Sequence, residues 1–263
     1  MGEQLDRATA HSSPTPLIQD RELGTGTVTL VGAGPGDPAL MTVAARDALA
    51  SSTIVFYDRL GPTDDLASWA PQAELIDVGK LPGFHRVPQG EINRRLVLAA
   101  QQGHRVVRLK GGDPYVFGRG YEELVACRTA NVPVQVIPGI TSAIAVPGAA
   151  GIPVTFRELS QSFTVVTGHD PFSDEFCAAL VTLVRSGGTV VILMGMQRLS
   201  GHLLQLRQHG LTAATPAAVI MNGCTAHQRL VTAEVAQLPH AVAEHGLSSP
   251  AVIVIGDVVS LAL

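Results

Sequence analysis

Val28-Thr29-Leu30-Val31-Gly32-Ala33-Gly34-Pro35-Gly36-Asp37-Pro38 runs from four strand-forming residues straight into a glycine-rich turn. A strand that ends in glycines can bring its backbone close to a ligand or to another backbone, because glycine has no Cβ to hold either away. Spacing separates this loop from the dinucleotide fingerprint Gly-x-Gly-x-x-Gly: after Gly32 and Gly34 the third glycine would fall at position 37, where Asp37 stands. Pro35 removes an N–H from the turn, and Asp37 puts a carboxylate where a pyrophosphate would meet a helix N-terminus. Both oppose phosphate binding, so the expected ligand is nucleoside-like without phosphates. A second loop, GGDPYVFGRG from Gly111 to Gly120, also follows an apolar strand, and two such loops describe a crevice.

Working outward, short runs rich in Val and Ile alternate with helical patterns, the signature of parallel α/β layers. Strands are expected at 28–31, 53–57, 74–78, 105–109 and 134–137, a five-stranded open sheet, with helices at 40–50, 91–102 and 121–129 between them. The Pro- and Gly-punctuated stretch 147–153 breaks this rhythm. A second set follows: strands at 163–167, 190–194, 217–221 and 252–255, helices at 174–185 and 199–208, and an alternating stretch at 228–235 suited to a hairpin. The division expected is a flexible tail over 1–25, an α/β domain over 26–146, a linker over 147–160 and a second α/β domain over 161–263.

Composition excludes several classes. A chain of 263 residues, 46% hydrophobic and 15% charged, has the core of a globular protein. Its net charge of −4, with 18 scattered basic residues, offers no footprint for nucleic acid. No apolar run reaches the ~18 residues of a membrane helix, and the first 24 residues are too polar for a secretory signal. Cys127, Cys177 and Cys224 lie far apart without a C-x-x-C pair, which suits a cytoplasmic protein and gives neither a disulfide framework nor a zinc cage. None of the nine histidines stands in H-E-x-x-H, and the pairs His202/His209 and His240/His245 read as solvated helix-face residues. No metal is expected.

In open α/β sheets ligands bind beyond the carboxyl ends of the strands. Here those ends carry Gly32–Asp37, Tyr57-Asp58-Arg59, Gly79-Lys80, Lys110–Asp113 and Pro138–Ser142, and in the second set Gly168-His169, Met194-Gly195 and Asn222-Gly223. Each has a plainer reading: Gly111-Gly112 as a tight turn, Asp58 as a helix cap, Met194 as core, the arginines as surface charge. Their coincidence on one edge favours a site.

Together, GAGPGDP, YDRL (57–60), VGK (78–80), GGDPYVFGRG, PGITSA (138–143), GIPVT (151–155) and SPAVIVIG (249–256) closely resemble the tetrapyrrole methylases, in order from Val28 to Val259. The resemblance implies two α/β domains with the active-site cleft between them, a homodimer, and C-methylation of uroporphyrinogen III on rings A and B to give precorrin-2. S-adenosylmethionine would be the methyl donor, two molecules per product. Carried over by position, cofactor contacts fall on Pro35, Gly111, Gly112, Asp113, Val116, Thr141, Ser142, Met194 and Gly223. Asp58 becomes the proton acceptor, Lys80 the proton donor, and Arg119 lies near the substrate. Because that substrate carries eight carboxylates and this chain is acidic, Arg59, Lys80, His85, Arg119 and Arg157 are the cations expected to receive them. Tyr121 stands where the family usually has glycine, and Leu81 where a basic residue is common. The segment before Thr27 is too short for the dehydrogenase and ferrochelatase module fused to some relatives, which implies the single-function form. Three rivals stay open: a nicotinamide-dependent oxidoreductase with Asp58 gripping a ribose, a non-catalytic cofactor sensor, and a methylase of a later corrin intermediate.

Overall fold

The computed structural model describes residues 26–58, 60–79 and 87–262. The tail 1–25 and the site candidates Arg59, Lys80 and His85, together with Leu81, lie outside the described residues.

The first sheet contains β1 (Thr27–Gly32), β2 (Ile54–Tyr57), β3 (Glu74–Asp77), β4 (Arg105–Lys110) and β5 (Val134–Ile137), all parallel, in the order β3-β2-β4-β1-β5. Alternation assigns the two faces. Val28, Leu30, Phe56 and Val106 pack on Ile92 and Leu96 of α3 (Gln89–Gln101) and on Leu124 and Cys127 of α4 (Gly120–Thr129). Val31, Val55, Val107 and Leu109 face Ala45 and Leu49 of α1 (Val43–Ser51) and Leu66 of the short α2 (Leu66–Trp69). Coverage on both sides explains why β1, β2 and the middle of β4 carry apolar residues on both faces.

The second sheet differs from the parallel layering expected. Its strands β6 (Ser162–Thr167), β7 (Gly188–Leu193), β8 (Pro216–Met221), β9 (Arg229–Glu234) and β10 (Ala251–Ile255) run in the order β6-β7-β10-β8-β9. Only β6 and β7 pair in parallel; β10 is antiparallel to β7 and to β8, and β8 is antiparallel to β9. The connection from β8 to β9 is too short for a crossover, so the two must form a hairpin, and the stretch expected to be a hairpin by itself is one strand of it. Because β10 is inverted between β7 and β8, the carboxyl ends of β6, β7 and β8 still share one edge.

The helices α6 (Asp174–Arg185), α7 (Leu199–Gln208) and α8 (Leu238–Glu244) cover one face of this sheet. The other face takes α5 (Ser142–Ala149), which follows β5: Ala143 and Val146 pack on Val191, Leu193, Ala218, Ile220 and Val254. Pro147, read as the opening of a linker, lies inside that helix. The Thr141 hydroxyl accepts the Ala143 N–H at its start, and burial of Ala143, Val146 and Pro147 offsets what a proline costs in a helix.

Strand ends meet so closely that side chains are excluded. A Cβ on Gly139 would lie 2.2 Å from the Gly112 carbonyl oxygen and 2.7 Å from Gly32 Cα. Gly139→Ala should therefore cost about 3 kcal/mol, the upper range for overpacking, and lower the Tm by roughly 6–12 °C. Gly201→Ala in α7, where nothing lies within 4 Å of the added carbon, should be neutral or stabilise by up to about 1 kcal/mol. Thermal melts of the two variants check the contrast.

Candidate functional site

The two glycine loops are bonded to each other. Gly34 N–H donates to Gly112 O at 3.2 Å and Gly112 N–H to Gly34 O at 2.7 Å, one rung of antiparallel pairing beyond the parallel strands, while Ala33 N–H donates to Lys110 O at 2.8 Å. Both Gly34 (φ +77°) and Gly112 (φ +67°) adopt the left-handed backbone that favours glycine. Asp113 staples the next loop: its Oδ2 accepts Gly139 N–H at 3.0 Å and its Oδ1 accepts Tyr115 N–H at 2.8 Å. Gly112 also faces Thr141 and Ser142, with Ser142 N 3.7 Å from where a Cβ would sit. Gly111, Gly112, Asp113, Thr141 and Ser142 thus form one patch.

The second sheet presents its matching edge here. Met194 after β7, and Asn222 and Cys224 after β8, hold φ of +58°, +50° and +59°. Left-handed backbone at non-glycine residues stores strain that the surrounding structure must compensate, and such positions gather at functional sites. Met194 is 51% exposed at this edge, so the plainer reading of it as core does not hold. A Cβ on Gly36 would come 2.9 Å from Thr225 Cγ2, and one on Gly223 2.3 Å from Val146 Cγ1. The Pro35-Gly36 corner therefore abuts the loop after β8, Gly223 seats on α5, and Val116 packs on the same apolar cluster as Val146. Residues from both halves of the chain share a single seam.

Asp37 is spent locally. Its Oδ1 accepts Ala39 N–H at 2.8 Å and caps the 3-10 turn Pro38–Leu40, while α1 is capped separately by Thr42. The position where a dinucleotide would set its pyrophosphate already holds a carboxylate.

Asp58 follows β2 and is one end of a buried charge cluster that sequence reading passed over. Its Oδ2 lies 3.2 Å from Arg108 Nη2, and its Oδ1 accepts the N–H groups of Leu60 (3.2 Å) and Gly111 (3.4 Å). Arg108 Nε lies 3.1 Å from Glu123 Oε1, and Lys110 Nζ reaches the same oxygen at 3.1 Å. Gln89 Nε2 donates to it at 3.0 Å. Burial, and next the neighbouring Arg108, hold the Lys110 ammonium below its ordinary range, with Glu123 and Asp58 opposing. The available signal was the i, i+2 spacing of Arg108 and Lys110, which puts two cations on one face of a central strand.

The other candidates are placed more loosely. Arg119, at φ +59°, forms a two-pronged ion pair with Glu122 at 2.8 Å on the surface, so a substrate carboxylate must compete for that guanidinium. Arg157 is exposed, and Tyr121 is exposed and set edge-on to Tyr115. His202 overturns the reading of a solvated helix-face residue: it is 1% exposed, stacks on Phe172, and its Nε2 lies 2.9 Å from Gly168 O. The reason is that α7 turns this position towards the end of β6, where a ring can hold the loop. Among the described residues no group of three or more His, Cys, Asp or Glu could hold a metal, and no helix is long and apolar enough to cross a membrane.

Residues 27–239 match the family model described as Tetrapyrrole (Corrin/Porphyrin) Methylases. The chain is 47% identical over 237 residues to the S-adenosyl-L-methionine-dependent uroporphyrinogen III methyltransferase of Methanosarcina barkeri, which covers 90% of this chain and 93% of that protein. A siroheme synthase of Pseudomonas aeruginosa is 46% identical over 253 residues, 93% of this chain and 54% of the relative. Among solved structures, uroporphyrin-III C-methyltransferase from Thermus thermophilus complexed with S-adenyl homocysteine aligns with a TM-score of 0.71 at 35% identity, over 90% of this chain and 100% of that one.

The charge cluster reaches Cys127 on α4. Burial, and secondly the Glu123 carboxylate, push this thiol from 9.0 up to about 11. The folded state keeps its proton where the unfolded chain would lose it, so the associated stability is full below about pH 9 and is lost as pH rises towards about 11. Cys127→Ala should flatten the alkaline fall in stability relative to the unsubstituted protein across that window. Denaturant unfolding at pH 8 and pH 10.5 checks it; parallel losses in both proteins would contradict the assignment.

Proposed function

The chain belongs to the tetrapyrrole methylases, and from that premise we propose that it methylates uroporphyrinogen III at carbon on rings A and B, consuming two S-adenosylmethionine molecules and releasing precorrin-2 for sirohaem and cobalamin synthesis. The observation that carries this reading is the seam itself: the motifs of both halves, far apart in sequence, converge on one edge with glycine backbone, a half-exposed methionine and a paired aspartate.

The donor set fits a nucleoside. Gly112 offers backbone with no side chain within 4 Å of its missing Cβ, Gly111 brings its backbone up against Leu60, Thr141 and Ser142 offer hydroxyls and the start of α5, and Met194 offers a polarizable apolar surface. We assign Pro35, Asp113, Val116 and Gly223 to the same cofactor site, with Asp113 acting through the backbone it staples. When bound, S-adenosylmethionine supplies an electrophilic methyl group on a sulfonium. Because a porphyrinogen is electron-rich at carbon, the chain's main tasks are to align the two reactants and exclude water. Asp58 then takes the proton that the alkylated macrocycle must lose, and Lys80 manages protonation or holds a carboxylate. Arg59, His85, Arg119 and Arg157 receive the acid side chains of the substrate. We further read 26–146 and 161–263 as two domains of a cytoplasmic homodimer that needs no metal and engages neither nucleic acid nor membrane.

Incubating purified protein with uroporphyrinogen III and labelled S-adenosylmethionine should add two methyl groups by mass; transfer only to a later corrin substrate would reverse the assignment. Calorimetric titration should show S-adenosylhomocysteine binding and no comparable binding of NADH or NADPH, as the capped Asp37 turn requires. Asp58→Asn preserves shape but removes the basic oxygen, so turnover should fall by roughly 10²-fold or more at near-unchanged cofactor affinity. Loss of cofactor binding together with turnover would instead mark Asp58 as a ribose-gripping acid.

A further inference from the structure

We propose that Arg108, locked from behind by Glu123, is a positioning residue that sets the Asp58 carboxylate for proton transfer; the proposal rests on the reading of Asp58 as the base. Arg108 lies opposite Phe56 in the β2–β4 register, so its side chain runs beside the strand whose end carries Asp58. All three arms of its fork are engaged. Nε meets Glu123 at 3.1 Å, Nη1 donates to Leu109 O at 2.6 Å and reaches Phe56 O at 3.5 Å, and Nη2 meets Asp58 at 3.2 Å. A planar guanidinium held at three corners has one orientation, which a flexible ammonium could not reproduce.

The burial gradient gives the cluster a direction. Side-chain exposure is 0% at Glu123, 5% at Arg108 and 21% at Asp58, so the anchor is inside and the working carboxylate faces outward. One oxygen of Glu123, Oε1, is itself held by three donors, from Arg108, from Lys110 and from Gln89 at the start of α3. The far oxygen of Asp58 is oriented by the N–H groups of Leu60 and Gly111, the second of which opens the glycine loop. The carboxylate is therefore fixed relative to the loop assigned to the methyl donor.

Thermodynamics supports a functional reason for the cluster. Charge balances, with Asp58 and Glu123 against Arg108 and Lys110, yet buried ion pairs contribute little net stability, and apolar replacements of similar volume are often as stable or more so. A positioning task accounts for keeping three desolvated charges, Arg108, Lys110 and Glu123, in place of a hydrophobic contact between β4 and α4. Orientation errors of about an ångström near a reacting group can cost roughly 10²-fold in rate, so a partial loss of alignment is readily measured.

The test is a double-mutant cycle on the full chain in single-turnover methyl transfer. Arg108→Lys keeps the charge and loses the fork. Turnover should fall roughly 10-fold, with KM for both substrates and calorimetric affinity for S-adenosylhomocysteine within about twofold. On an Asp58→Asn background the same change should alter turnover less than about twofold, because no base remains to be positioned. An equal loss on both backgrounds, or no loss on either, would overturn the proposal. If Arg108→Lys does not fold by circular dichroism, the near-isosteric Glu123→Gln enters the same cycle under the same criteria. A slow Asp58→Asn with a normal Arg108→Lys sinks this inference alone, whereas a normal Asp58→Asn sinks the reading on which it rests.

Discussion

The reciprocal hydrogen bonds between Gly34 and Gly112 hold the strand-end edge of the first sheet together. They continue the pairing of β1 and β4 one step past the parallel ladder, where the chains have already turned, and they tie the two glycine loops into one surface. The carboxyl end of β5 is drawn in through Gly139, whose N–H goes to Asp113 and whose α-carbon has room for no substituent. Three strand ends are thus joined, two by backbone hydrogen bonds and the third through the Asp113 carboxylate. Backbone groups that satisfy one another in this way need no side chains to pair with, which is why glycine can stand at each of these turns.

That joined edge also decides how the second half attaches. The chain leaving β5 runs through Thr141 into α5, and α5 spends its apolar face on the second sheet, with Gly223 cut back to let Val146 in. Strain collects where the sheet answers it: Met194, Asn222 and Cys224 all hold left-handed backbone at strand ends facing this region. Rigid packing on both sides compensates for it, and the result is a methionine side chain presented outward from an otherwise buried strand.

Beneath this apolar and backbone-built seam lies a polar one. Asp58, Arg108, Glu123 and Lys110 run from the carboxyl end of β2 into the layer between the first sheet and α4, where desolvation is severe enough to move both the Lys110 ammonium and the Cys127 thiol. An exposed aspartate at a strand end would be free to rotate. Joined to this cluster and to two backbone N–H groups it is held in one orientation while keeping 21% of its side chain exposed.

Local chemistry alone determined much of this protein. The β1 to β5 pattern, the α6 and α7 spans, the glycine loops and the mismatch at Asp37 all depend on the chain within a few residues of each, so periodicity and spacing report them directly. What depends on partners distant in sequence was decided only by tertiary structure. Pro147 reads as a breaker until the second sheet supplies a surface worth burying α5 against, and the mixed sheet follows from a hairpin whose partner strand is recognisable only once paired. His202 reads as solvated until α7 turns it towards Gly168. Lys110 is legible only as part of a strand end, and Arg108 and Glu123 carry no sequence signal of a site, because no local rule says that a charge on a central strand will meet its counter-ion on a helix 13 to 15 residues later. Hydrogen bonding and desolvation are short-range in space and blind to sequence separation, so the common edge of the strand-end loops was legible from the sequence, and the charge cluster behind it was not.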